Sequence, residues 1–404
     1  MSDYNELVNI DIVGKNILVR EDLNVPIENG KIINDARIRA IIPTIEFALS
    51  KGSKLAIISH FGRPTEGKFN KKFSLQVVAK RLSEILNMEV FFEDQPLDIK
   101  SPEYINNITV YENTRFLKGE KSGDDELAKK MAGNCDVFVM DAFGTSHRKH
   151  SSTFTISKYA PITCGGLLLM NEIMNIEKIF KNPKKPVLAI IGGSKVSTKL
   201  NVLKKLITKV DAIIIGGGIA NTFLLNSDYP IGKSLAEKNM LSDAENIMNL
   251  AKEKNVSIPL PEDVVCENSN NSFNKNIKEV SNDDMIKDIG PKTSAIYKKF
   301  IEEAGTIIWN GPVGVFEDKL FENGTKDIAF SIKESKALTI AGGGDTISAI
   351  EKFINIEDLD YISTGGGAFL EFLEGKELPG IKIIKKLWQR LMIWYIDKQK
   401  LLPH

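Results

Sequence analysis

Cysteine is scarce: three in 404 residues, at positions 135, 164 and 266, with no C-x-x-C spacing. An odd, scattered set of thiols excludes a disulfide framework and a zinc site built from cysteine, and it fits a reducing compartment. No apolar run reaches the ~18–20 residues that span a bilayer. The opening MSDYNELVNID is polar and acidic where a secretory signal would be basic and then apolar. The expected location is the cytoplasm. Net charge is missing too, because 53 Lys+Arg balance 53 Asp+Glu. No bulk field therefore favours nucleic acid or an anionic membrane as partner. No G-x-G-x-x-G followed by an acidic residue about 20 positions on occurs, which disfavours a dinucleotide oxidoreductase.

Arginine is unevenly absent. Only eight occur, at 20, 37, 39, 63, 81, 115, 148 and 390, so none lies between 149 and 389. The later half relies on lysine, and this asymmetry asks what the early guanidinium groups do that an ammonium cannot.

What is present is an ordinary globular composition, 42% hydrophobic and 26% charged. At this length two domains are expected. Short β-branched runs alternate with helical stretches from end to end. The runs are 17–20, 54–59, 108–112, 136–141, 186–191, 211–215, 306–309, 337–341 and 361–364. Helices are predicted over 74–87, with Ser74 as N-cap, over 124–133, and over 166–181. Pro43 predicts a kink or early stop in its helix. Near-continuous apolar strands between helices indicate buried parallel sheets in α/β layers. The expected fold is two Rossmann-like α/β/α domains facing across a hinged cleft. Their expected bounds are 1–165 and 186–380, with a connecting helix and hinge at 166–185. An amphipathic helical tail packing on a domain is expected over 381–404.

In open α/β sheets ligands bind beyond the carboxyl ends of the strands. In the first half those positions carry charge and hydrogen-bonding side chains: Asp22 and Asn24, then His60 and Arg63, then Arg115, then Arg148. Arg37 follows in the first turns of a helix capped by Asn34 or Asp35. A planar fork of donors suits a small phosphate-bearing anion, and Asp22 with Asn24 suits its hydroxyl. In the second half the same positions carry glycine: 192–193, 216–218, 311, 342–344 and 365–367. Bare amides at helix starts make a cradle for polyphosphate. The stretch IGGSKVSTK at 191–199 lacks the P-loop pattern but adds Lys195 and Lys199 on one face. Asp345 is placed for a metal such as Mg²⁺, which takes one or two carboxylates plus phosphate oxygens.

The chain resembles phosphoglycerate kinases over roughly residues 5–380. The resemblance rests on LVREDLNVP (18–26), DARIRAIIPTIE (35–46), SHFGRPTEG (59–67), ENTRF (112–116) and VFVMDAFGTSHRKHSS (137–152). It continues in IIGGSKVSTKL (190–200), IIGGGIANTFL (214–224), WNGPVGVFE (309–317), IAGGGDT (340–346) and STGGGAFLEFLEGKELPG (363–380). The resemblance implies reversible phosphoryl transfer from 1,3-bisphosphoglycerate to ADP, giving 3-phosphoglycerate and ATP, with Mg²⁺, in a monomer whose domains close over the substrates. It implies a 3-phosphoglycerate site of Asp22, Asn24, Arg37, His60, Arg63, Arg115 and Arg148. The nucleotide side would be Lys195, Lys199, Asn310, Glu317 at the ribose, Gly343, Gly344, Asp345 and Thr346, with Asp345 toward the metal. Pro261–Val264 resembles part of the nucleotide pocket. Arg37, Lys195 and the backbone amides of Gly343 and Gly344 are the expected catalytic groups. Two other readings are another acyl- or carbamoyl-phosphate kinase and a non-catalytic nucleotide-binding protein. Family chains commonly stop soon after the LPG element, whereas this one runs on through a Trp-containing tail.

Overall fold

The computed structural model describes residues 2–95, 103–269, 271–363, 365–386 and 388. The chain forms two compact units, Met1–Met174 with Glu377–His404, and Asn175–Lys376. The change of unit falls inside one helix, Leu167–Lys181.

Among the described residues the main sheet of the first unit has six strands, β1 (Asn16–Glu21), β2 (Lys54–Ser59), β3 (Phe91–Glu93), β4 (Ile108–Tyr111), β5 (Val137–Met140) and β6 (Ile162–Gly165), and a separate two-stranded ribbon pairs Ile27–Glu28 with Lys31–Ile32. The six pair in the order β3-β4-β2-β1-β5-β6, every neighbour parallel. Alternate residues Ile17, Val19, Ile57, Val110 and Val139 meet Ile38, Ile45, Val78 and Leu82 from covering helices in one core. Leu18, Phe138 and Met140 are buried as well, so both sheet faces are covered.

Sequence signals and local structure agree with physical exceptions. The Asp124 side chain caps helix Asp125–Met131 by accepting from the Leu127 N–H at 2.8 Å. Ser74, extended just ahead of helix Gln76–Leu86, accepts from the Gln76 N–H at 3.2 Å through its hydroxyl, as a cap does, and the Glu112 carboxylate accepts from the N–H of the intervening Leu75 at 2.9 Å. Pro43 breaks the pattern after Ala40, and it sits in the first turn of a second helix, Ile42–Ser50.

The second unit holds β7 (Val187–Ile191), β8 (Ala212–Ile215), β9 (Asp263–Asn268), β10 (Asn271–Asn276), β11 (Met285–Ile289), β12 (Thr306–Asn310), β13 (Leu338–Gly342) and β14 (Tyr361–Ser363). Five make a parallel sheet in the order β8-β7-β12-β13-β14, and β10-β9-β11 form a smaller antiparallel sheet. Its main core gathers Leu188, Ile214, Ile307, Trp309 and Ala341 from the strands with Tyr297, Ile328 and Ile350 from helices.

The end of the described chain belongs to the first unit. Ile384 accepts from the Asn5 N–H at 2.8 Å, and the Lys386 N–H donates to Asp3 at 3.0 Å. Trp388 stacks at 5.8 Å from Phe154. The amphipathic helix expected over 381–404 otherwise lies outside the described residues beyond Lys386. Among the described residues no helix is long and apolar enough to cross a membrane.

Candidate active site

In the first unit, β4, β2, β1 and β5 are adjacent and parallel, so their carboxyl ends open on one edge. That edge receives Arg115, His60 with Arg63, Asp22 with Asn24, and Arg148 from the four following loops. Arg37 reaches it from helix Ala36–Ala40. Its Nη1 donates to Asp22 Oδ2 at 2.9 Å and to the Asn24 carbonyl at 3.2 Å. Asn24 Oδ1 accepts from the Gly62 N–H at 2.7 Å, which ties the first loop to the second. Asn113 ties the second to the third: it accepts from the Phe61 and Arg115 N–H groups and donates to the Phe61 carbonyl. Arg115 donates to the Gly62 carbonyl. Arg63 stands exposed on the same loop.

The cap expected of Asn34 or Asp35 is divided between them. Asn34 Oδ1 accepts from the Ala36 N–H at 2.9 Å, while the Asp35 carboxylate is taken by Arg39 and Arg81. Those two arginines therefore serve the structure, away from the strand-end cluster.

The sequence reading passed over Arg20, a residue inside β1. It is 1% exposed, donates to Ser152 Oγ at 3.1 Å and to the Glu21 carbonyl, and lies 3.4 Å from His60 Nδ1. Buried Glu120 supplies compensating charge and accepts from the Ser152 hydroxyl at 2.6 Å. The early arginine bias was the available signal, but an in-strand position reads as core.

So much cationic charge sets protonation states. Burial first, and then Arg20, Arg115, Arg148 and Arg37, hold the His60 imidazole well below its usual value. Burial with Arg148 brings both His147 and His150 down to about 4. Burial and the neighbouring Arg148 and Arg20 lower Arg115 to about 10, still cationic at neutral pH. The site is a set of charged guanidinium groups with neutral imidazoles among them.

A measurable consequence follows for His147, whose Nε2 accepts from Arg148 Nε at 3.1 Å. A histidine kept neutral by folding contributes stability that is fully present above its unfolded pKa of 6.5 and fades as pH falls toward about 4. The unfolded chain takes up a proton there that the folded one refuses. His147→Gln keeps an acceptor but cannot titrate, so its melting temperature is expected to fall less than wild type between pH 6.5 and 4. Parallel curves would contradict the assigned neutral state.

The second unit presents a different chemistry. The loops after β7, β8, β12, β13 and β14 are glycine-bearing, and the sheet packs them close. A Cβ on Gly192 would lie 1.8 Å from the Pro312 carbonyl oxygen, and one on Gly311 would lie 2.4 Å from that of Gly192. Only bare backbone fits where these two loops cross. Lys195 is exposed on the first loop, and the segment is pinned where Ser197 donates its N–H and Oγ to the Glu237 carboxylate at 2.8 and 2.7 Å. No sequence pattern pointed to Glu237.

Lys199 is half-buried and donates to Asn310 Oδ1. Burial lowers its ammonium to about 8, with Asp345 opposing the shift. Asn310 donates in turn to the Gly342 carbonyl, and Thr346 Oγ1 donates to Gly342 while accepting from the Gly311 N–H at 2.8 Å. These two side chains thus lock the ends of β12 and β13 together. Gly344 and Asp345 open helix Gly344–Phe353, whose N-terminus favours an anion.

A cavity of about 310 Å³ in this unit is lined by Gly193, Gly217, Leu235, Pro261, Val264, Ile286, Val313, Glu317 and Asp345. Largely apolar walls with a few polar groups suit a nucleoside carrying phosphates. Among the described residues no cluster of three or more His, Cys, Asp or Glu could hold a metal alone. A lone carboxylate such as Asp345 fits Mg²⁺ that takes its remaining ligands from phosphate and water.

A family model described as phosphoglycerate kinase matches residues 7–376. The phosphoglycerate kinase of Francisella philomiragia is 50% identical over 387 residues, covering 94% of this chain and 98% of that one. That of Legionella pneumophila (strain Paris) is 50% identical over 388 residues, with 94% and 97% covered. Among solved structures, phosphoglycerate kinase from Coxiella burnetii superposes with a TM-score of 0.89 at 48% identity, covering 95% and 99%. The enzyme from Pyrococcus horikoshii does so at 0.80 and 28%, covering 96% and 100%. With the match running through both units, this chain belongs to the phosphoglycerate kinase family.

Proposed function

We propose that the chain carries out its family's reaction through a chemical division between its two units. It is a phosphotransferase with a carboxyl acceptor, and its substrates are the phosphoglycerates and ATP/ADP. In our reading Arg63, Arg115 and Arg148 receive the phosphate of 3-phosphoglycerate, His60 contributes a neutral hydrogen-bonding ring, and Asp22 with Asn24 holds the hydroxyl. On the other unit Glu317 meets the ribose, while Lys199 and the backbone of Gly343 to Thr346 meet the polyphosphate. Asp345 together with phosphate oxygens would hold Mg²⁺, which would offset polyphosphate charge.

Toward ATP synthesis, the bond from the acyl oxygen of 1,3-bisphosphoglycerate to phosphorus breaks and one from the β-phosphate of ADP forms. In reverse, a carboxylate oxygen attacks the γ-phosphorus and ADP leaves. The nucleophile is already ionised, so no general base is needed. Rate then comes from alignment and from charge placed on the equatorial oxygens of the moving group. Arg37 and Lys195, with the Gly343 and Gly344 amides, are the groups we assign to that task. In this reading the enzyme works as a cytoplasmic monomer, with the residues assigned to each substrate all drawn from one chain.

The observation that carries it is the placement of six site residues, Asp22, Asn24, His60, Arg63, Arg115 and Arg148, beyond four adjacent strand ends. A coupled assay of ATP-dependent phosphorylation tests it. Turnover is expected with 3-phosphoglycerate, not with acetate or carbamate, and is expected to vanish on chelation of Mg²⁺ and return on its addition. ATP binding with turnover at background would instead favour a non-catalytic nucleotide-binding protein.

A further inference from the structure

A buried carboxylate beside the cavity of the second unit has no part in the chemistry above. Asp288, at the end of β11, is 2% exposed. Its Oδ2 accepts from the Gly324 N–H at 2.6 Å and its Oδ1 from the Ile289 N–H at 2.9 Å. Gly324 lies in the first turn of helix Asn323–Glu334, where the helix dipole favours negative charge. The chain is shaped around this group. A Cβ on Gly314 would lie 2.0 Å from Oδ1, and one on Gly324 2.3 Å from it.

The segment running from Gly311 to Glu317 is held on either side of that carboxylate. The Val315 N–H donates to the Lys287 carbonyl at 2.8 Å, and Thr325 Oγ1 accepts from Val313 and Gly314 at 3.2 and 3.3 Å. Pro312, Val313, Gly314, Val315 and Glu317 all face the cavity, as does Asp288. Burying a carboxylate is costly, and here burial lifts its pKa to about 7, with Asp327 adding to the rise. An apolar or amide side chain would avoid that cost but could not accept at both oxygens.

We infer that Asp288 is a positioning residue for nucleotide recognition: through Gly314 and Gly324 it fixes the 312–317 segment as the wall that receives the nucleoside. This rests on the reading of the cavity as the ADP/ATP site. The contrast is Asp263, also 2% exposed, which accepts from the Lys292 and Thr293 N–H groups at the start of helix Pro291–Glu303 but does not line the cavity. Asp263 holds a helix; Asp288 holds a wall.

The test compares Asp288→Asn and Gly314→Ala with the wild type in steady-state assays varying ADP and 1,3-bisphosphoglycerate separately, with ADP titrations by calorimetry. Asp288→Asn is expected to raise the KM and Kd for ADP about tenfold, the scale of one lost charge-assisted hydrogen bond. The KM for 1,3-bisphosphoglycerate is expected to stay unchanged, and kcat to stay within about threefold. Gly314→Ala, whose methyl strikes Asp288, should reproduce the ADP defect and carries the test if Asp288→Asn does not fold. Wild-type ADP affinity in folded Asp288→Asn, or in Gly314→Ala where Asp288→Asn does not fold, would overturn the proposal. So would equal losses for both substrates. A wild-type protein that binds no ADP would overturn the underlying reading of the cavity, and this inference with it.

Discussion

Replacing Arg37 by alanine is expected to lower kcat on the order of 10³-fold or more, the scale at which loss of a charge-stabilising arginine is felt in phosphoryl transfer. The guanidinium is oriented before substrate arrives, because Asp22 Oδ2 and the Asn24 carbonyl both accept from Nη1. A rigid planar donor held in this way loses little freedom in the transition state. Lysine should not substitute for it. A single ammonium centred on Asp22 cannot also present a planar fork to phosphoryl oxygens, so Arg37→Lys should remain within about tenfold of Arg37→Ala. Because the site edge is otherwise held by the Asn24–Gly62 and Asn113–Phe61 hydrogen bonds, neither variant should lose much stability. Near wild-type turnover in Arg37→Ala would reject the assignment.

Lys195→Ala should be about as damaging, again on the order of 10³-fold in kcat, but through the opposite substrate. Lys195 is exposed on a loop fixed by the Ser197–Glu237 pair, and its charge is the one we assign to the phosphate of the nucleotide. The two lysines of the loop differ in kind. Lys199 is bonded to Asn310 and its ammonium is lowered to about 8, so its removal takes the donor from the buried Asn310 Oδ1 and weakens the junction of β12 with β13. Lys199→Ala should therefore lower the melting temperature as well as activity, whereas Lys195→Ala should leave it near wild type. Equal thermal losses in the two variants would contradict the distinction.

Much of this was readable in the chain because parallel α/β architecture writes itself in apolar runs. ILVR, KLAIIS and TIIW became buried central strands, and the rule of strand carboxyl ends then located Asp22, His60, Arg115 and Arg148. Illegible parts have physical causes. Phe91–Glu93 and Ile162–Gly165 are short strands at the two sheet edges, where half the backbone partners and much of the apolar demand are missing. Asn271–Asn276, NSFNKN, is mostly exposed, so pairing with its neighbour, not burial, makes it a strand. Ser74 caps as its chemistry suggests, but the second acceptor at that helix start, Glu112, lies 37 positions from Leu75 and left no local signal. Glu237 and Asp288 act only through segments that folding brings to them, and no local pattern announces that. The return of the chain from Glu377 into the first unit depends likewise on distant partners such as Ser146 and Asn5.

The central claim is that guanidinium groups of the first unit hold the acid while glycine amides and lysine of the second hold the nucleotide. Calorimetric titration of two folded variants, Arg148→Ala and Lys199→Ala, against 3-phosphoglycerate and against MgADP tests it most directly. The account predicts crossed losses: Arg148→Ala weakens 3-phosphoglycerate about tenfold or more and leaves MgADP unchanged, and Lys199→Ala does the reverse. Parallel weakening of both ligands in each variant, or none in either, would contradict it.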